Sequence, residues 1–271
     1  MNSPTYKAIR IVAFLFAACA ASVCTAIEMS GEKWPWLTLN GEIRSGDAEQ
    51  LARTMWSIAP KGILISSPGG SVSEAIRMAA LIKGAHIPVI AIGKGGFCAS
   101  SCFFLFLAAD ARMALAGNDD GSLPDNWKSK SGGPIGIHRP YLKFDGRDTN
   151  SKIEKQDQAI RDAEVYLKAQ RLPQHLIDEM LSRASNDIYW LTQKDLETIG
   201  DYSAGYAEAL VAKCNYITTS RLNEKMPSKA QRTAYIEEFT TCQQSLWDQE
   251  RFPLTQAFYK KLATGWRPWK H

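Results

Sequence analysis

The sequence predicts an α/β protein: a mostly parallel sheet with helices on its faces, followed by a C-terminal helical appendage. Three observations carry this. Gly62–Ser66 and Ile87–Ile92 are short continuous apolar runs, the pattern of strands buried on both faces of a parallel sheet. Strand, small-residue turn and helix recur three times before Ala109, the βαβ signature. Beyond Ser203 the strand signals stop and helical segments follow, at 204–214, 228–247 and 254–263.

The 271 residues are 45% hydrophobic and 22% charged, an ordinary globular composition with ample core. The first 26 are read as a secretory signal peptide. Lys7 and Arg10 precede an apolar run from Ile11 to about Val23, and Cys24-Thr25-Ala26 supplies small residues at a cleavage site. The run falls short of the ~20 residues a membrane span needs, and the residues before Cys19 and Cys24 fit a lipoprotein site poorly. The expected product is periplasmic or secreted, with a main domain over 27–202 and the helical extension over 203–271. Without the leader, 30 basic residues face 28 acidic ones, a balance that gives no reason to expect a nucleic-acid partner. Four cysteines remain, an even number suited to disulfides in an exported protein. Proximity favours Cys98 with Cys102 and Cys214 with Cys242, out of three possible connectivities. No histidine stands near either pair in zinc-finger spacing, so no metal is expected.

In order, Trp36–Ile43 alternates like a strand and Asp47 caps a helix running to about Ala59. Gly62–Ser66 is the next strand, Ser67-Pro-Gly-Gly-Ser71 a turn, and 72–83 a helix closed by Gly84. Ile87–Ile92 leads to Gly95-Gly-Phe-Cys-Ala-Ser-Ser-Cys102, in which Gly96 supports a sharp turn, and then to the apolar helix Phe103–Ala109. A short strand over 112–116, a polar loop over 117–133 and a strand ending at His138 follow. Helices are expected over about 150–171, 173–182 and 192–200, with 187–191 extended between the last two. The tail Trp266-Arg-Pro-Trp-Lys-His271 mixes aromatic and basic residues; weak contact with a membrane surface is conceivable there, and packing against the protein is the simpler expectation.

Two glycine turns at the carboxyl ends of successive parallel strands fall on the sheet edge where such folds place ligands. The first, with Gly69 and Gly70, can aim the Gly70 N–H into the crevice. The second presents the Ser100 hydroxyl beside the Ser101 N–H. Two backbone donors next to a hydroxyl are what an oxyanion hole requires. The Lys-Ser/Thr ending of a nucleotide P-loop is absent from Ser67–Ser71. A serine needs a base, and among His86, His138, His175 and His271 only His138 ends a strand on that side. Asp187, opening an extended stretch, is the expected acid to orient it.

Together these motifs resemble the ClpP/crotonase superfamily, and more narrowly the ClpP-like serine peptidases with exported bacterial relatives. Ser67-Pro-Gly-Gly-Ser-Val72, Gly96-Phe-Cys-Ala-Ser100 and Ile137-His-Arg-Pro140 carry the likeness, in that order, within residues 37–200. The resemblance implies a spiral of ββα units, Ser100 as nucleophile, His138 as base, Asp187 as acid, and oxyanion donors at Gly70 and Ser101. It implies a peptide or protein substrate, no cofactor, and a homo-oligomer. The longer 117–133 loop and the C-terminal helices depart from the cytosolic pattern, and export away from ATP implies an ATP-independent activity. Two other functions fit the same fold: a non-catalytic binding or scaffold protein, and a crotonase-type enzyme acting on an acyl-coenzyme A.

Overall fold

The apolar runs pair as their patterns require. The computed structural model describes residues 27–31, 35–93, 96–114, 134–141, 149–184 and 186–270. The expected signal segment and the 117–133 loop lie outside them. Five strands form the larger sheet: β1 (Glu28–Ser30), β2 (Trp36–Asn40), β3 (Gly62–Ser66), β4 (Val89–Ile92) and β6 (Ala111–Ala114), in that spatial order. β1 is antiparallel to β2 and every other pairing is parallel. Between these strands run α1 (Asp47–Ile58), α2 (Val72–Gly84) and α3 (Cys102–Ala108). Alternate residues Leu37, Leu39, Ile63, Ile65, Ile90 and Ile92 are buried. They join one core with Leu51, Met55, Met78, Leu81, Phe103 and Phe104 from the three helices. Each such side chain removed from water contributes roughly 1.5–3 kcal/mol.

A second, smaller sheet sits where the chain turns toward the site. β5 (Cys98–Ala99) pairs in parallel with β7 (Ile135–Ile137), which pairs antiparallel with β8 (Tyr189–Trp190). An isolated parallel bridge between Ser67 and Cys98 joins it to the end of β3. α4 (Thr149–Ala169) and α5 (Gln174–Ser182) lead toward β8, and α6 (Gln193–Ile199) follows it. Thr192 caps α6 in a capping box with Asp195, as its position predicts.

Asp47 does not cap α1 from the N-cap position. It is the first helical residue, and its carboxylate accepts from Arg44 N–H at 2.6 Å. The start of α1 is capped instead from α2: Glu74 Oε1 accepts from the Gly46 and Ala48 N–H groups at 3.0 and 2.9 Å. Sequence spacing cannot reveal a cap supplied by another helix.

The C-terminal helices are α7 (Ala204–Cys214), α8 (Thr219–Lys225), α9 (Lys229–Leu246) and α10 (Phe252–Ala263), with a π-helical turn over Trp247–Arg251 leading into the last. Tyr206, Leu210, Cys214 and Leu246 form a separate small cluster, and the Cys214–Cys242 disulfide ties α7 to α9. α10 departs from the expectation of an appendage. It packs on α1, and its Phe258, Tyr259 and Leu262 belong to the main core. The tail follows it inward: Trp266 and Trp269 lie against that core, and buried Arg267 makes a two-pronged ion pair with Glu49 of α1. The aromatic residues that suggested a membrane contact are thus packed against the protein. Phe258→Ala should lower folding stability by about 3 kcal/mol, read as an earlier urea midpoint with far-UV circular dichroism preserved at zero denaturant.

Candidate active site

Ser100 sits between β5 and α3 at φ 56°, in the left-handed region, which a non-glycine residue occupies only when its surroundings enforce it. Those surroundings are all present. Ser100 N–H donates to the Gly136 carbonyl of β7 at 2.7 Å, Ala99 N–H to the Ser67 carbonyl at 2.9 Å, and Cys98 N–H to the Pro134 carbonyl at 2.8 Å. Behind the turn all seven residues of α3 are buried, and the Cys98–Cys102 disulfide closes across it. Both disulfides pair as proximity suggested.

The other wall is the turn after β3. Gly69 and Gly70 have φ 91° and 146°, angles that glycine alone adopts without strain. Ser67 Oγ accepts from Gly69 N–H at 3.1 Å, while Ile43 donates to the Gly69 carbonyl and accepts from Ser71 N–H. Gly69 lies directly on the Ser100 turn: a Cβ there would be 2.6 Å from the Ala99 carbonyl oxygen, 2.7 Å from Ser100 Cβ and 2.9 Å from Ser101 N. The N–H groups of Gly70 and Ser101 donate to no backbone acceptor among the described residues, so both remain available to a ligand oxygen. Ser71 caps α2, its hydroxyl accepting from Glu74 N–H. Gly96 N–H closes a short turn onto the Gly93 carbonyl at 2.9 Å, upstream of Ser100.

His138 follows β7 and is 4% exposed. Its Nδ1 lies 2.9 Å from the Arg139 carbonyl oxygen. A carbonyl can only accept, so Nδ1 carries the proton and Nε2 is left with a free lone pair. Burial pushes the imidazole pKa below its ordinary value, against the hydrogen bond to Arg139, which raises it. Burial thus favours the neutral ring.

Ser100 and His138 line the same cleft, of about 760 Å³, together with Pro68, Gly69, Gly70, Val72 and Pro140. Asp187 is not brought to them. Its side chain is 55% exposed, and its carboxylate accepts from Arg183 Nη1 at 2.8 Å, one turn back along the chain. The imidazole nitrogen an acid would hold is taken by the Arg139 backbone. Sequence order alone suggested Asp187; the nearby arginine at a spacing of four was the contrary signal.

The sequence reading also missed several lining residues. Glu42 comes from the chain before α1, Tyr141 stands just past His138, and Lys155, Gln158 and Asp162 project from α4. The Tyr141 ring lies 5.6 Å from the imidazole. The stretch of an amphipathic helix from Lys155 to Asp162 carries no mark of facing a cleft. Gly136 could have been found, since a glycine inside a buried strand signals a close backbone approach. A Cβ there would strike Ile188 and crowd Trp190 of β8.

Neither a protein-family model nor any curated protein matches the sequence. Solved structures similar to the chain include a serine-to-alanine mutant of a membrane-bound stomatin-specific protease (TM-score 0.40, 17% identity), covering 67% of this chain and 84% of that one. A lysine-to-alanine mutant of the stomatin-specific protease, in complex with a substrate peptide, aligns at TM-score 0.40 and 16% identity over 61% and 71% of the two chains. A mutant ClpP1 from Listeria monocytogenes aligns at 0.40 and 16% over 62% and 88%. The likeness is of fold alone.

Gly69→Ala tests how tightly the two turns abut. The added methyl meets backbone on the Ser100 turn at an unfavourable φ, so a loss of about 2 kcal/mol or more is expected in thermal or urea denaturation.

Proposed function

We propose that the chain is an exported, ATP-independent serine peptidase or related acyl hydrolase working through Ser100 and His138. The observation that carries this reading is the left-handed Ser100 turn. It sets a hydroxyl in the same cleft as a neutral imidazole whose Nε2 is free. Export rests on the 1–26 pattern and agrees with two disulfides, bonds that persist in oxidising compartments.

In the proposed cycle, His138 Nε2 takes the hydroxyl proton as Ser100 Oγ attacks the substrate carbonyl carbon. The carbonyl electron pair moves to oxygen, which the N–H groups of Gly70 and Ser101 receive. Collapse of the tetrahedral species breaks the C–N bond, and the imidazolium returns its proton to the departing amine. Water then attacks the acyl-enzyme with His138 again as base, releasing the acid and restoring Ser100. Water is the only co-substrate the balance requires. The Arg139 carbonyl fixes the ring but, as a neutral dipole, steadies the imidazolium less than a carboxylate would. A peptide or loosely folded chain is the proposed substrate and a homo-oligomer the proposed state, both on the strength of the motif resemblance. A non-catalytic scaffold is the second reading, favoured by one observation: among the described residues no carboxylate meets His138 Nδ1.

A fluorophosphonate probe separates the two. One adduct by intact mass is expected on the parent and none on Ser100→Ala; a folded parent that stays unmodified would favour the scaffold. His138→Ala should slow labelling by about 10²-fold or more. Because protonation of His138 blocks it as a base, labelling should rise with pH through a midpoint below about 6.5 and stay level through neutrality. Asp187→Asn should leave the labelling rate within about threefold. A loss near the ~10⁴-fold seen when a triad acid is removed would instead place Asp187 on the imidazole.

A further inference from the structure

The Cys98–Cys102 disulfide closes a five-residue segment, and Ser100 is the middle residue. It joins β5 to the first residue of α3, the two elements between which the left-handed turn is held. Both cysteines are fully buried. So short a ring removes little entropy from the unfolded chain compared with the 28-residue separation of Cys214 and Cys242. Its effect is local, on Ser100 and on the N–H of Ser101. That residue depends on it further, because the Ser101 hydroxyl is buried with no hydrogen-bond partner among the described residues. Nothing on its own side chain therefore anchors the amide.

Resting on the hydrolase reading of Ser100, we infer that the Cys98–Cys102 disulfide is a positioning element of the active site, so the chain becomes competent only once this bond has formed. Bond formation takes two electrons and two protons from the Cys98 and Cys102 thiols. By thiol–disulfide exchange they pass to the disulfide of an oxidised dithiol partner, which leaves as its dithiol. Because both sulfurs are sealed beneath the turn, exchange precedes closure of the core around α3, and the finished bond is shielded from external reductant. Before export, in a reducing cytoplasm, the same chain holds its nucleophile without the constraint that aligns it.

The test compares the full mature chain with Cys98→Val/Cys102→Ala, which keeps the buried positions apolar, and with Cys214→Ala/Cys242→Ala as the control for losing a disulfide elsewhere. Two readouts are taken on folded samples: the fluorophosphonate labelling rate, and amide hydrogen exchange of the 98–102 segment. Labelling slowed by about tenfold or more and exchange accelerated only in the Cys98/Cys102 variant are the expected results. Labelling and exchange at the parent's values in that variant would overturn the inference. Should that variant not fold, the single change Cys102→Ala takes its place and is read the same way. An unlabelled parent would overturn the hydrolase reading, while exchange at Ser101 would still decide whether the disulfide holds the turn.

Discussion

The backbone of Ser100 is held from three directions at once. The Gly136 carbonyl of the small sheet takes its N–H, the Gly69 turn of the large sheet lies so close that a side chain there would strike it, and the disulfide bridges the residues on either side. A non-glycine residue at positive φ costs about 1–3 kcal/mol, so this conformation exists only because packing leaves no other. Much of the fold serves that constraint. The parallel order of β2, β3 and β4 brings two strand ends to one edge, and the isolated Ser67–Cys98 bridge fuses the two sheets there. The wholly buried α3 then fixes the direction in which the chain leaves the turn.

The chemistry follows from the same geometry. Ser100 and Gly70 line one cleft, and the N–H groups of Gly70 and Ser101 make no backbone hydrogen bond among the described residues. His138 gains its direction from the Arg139 carbonyl and its neutrality from burial. Those two effects suit the base proposed here; neither would stabilise an imidazolium.

Most of this was legible in the sequence, for physical reasons that can be named. Continuous apolar runs exist only where a strand is covered on both faces, so β3 and β4 announced a parallel sheet. Gly69 and Gly70 after a strand, and Cys-Ala-Ser-Ser-Cys before a fully apolar helix, were marks that ordinary loops rarely need. His138 stood out because, of the four histidines, it alone ends a strand on the edge of the two glycine turns. What escaped was long-range. The two-residue strands β5 and β8 have no periodicity to read. The Phe258–Leu262 stripe of α10 looks the same whether it packs on a neighbouring helix or on the main core. Asp187 was placed by order along the chain, and a carboxylate's partner is set by geometry: Arg183, four residues earlier, claims it.

The central claim is that the Ser100 turn and the Gly69–Gly70 turn together build one nucleophile-and-oxyanion site. A crystal structure of the phosphonylated protein tests it most directly. The account predicts phosphorus bonded to Ser100 Oγ, with the phosphoryl oxygen about 2.7–3.1 Å from both the Gly70 and Ser101 nitrogens and His138 Nε2 facing the ester. Phosphorus on another side chain, or on Ser100 with the oxygen turned to solvent and both amides unoccupied, would contradict it.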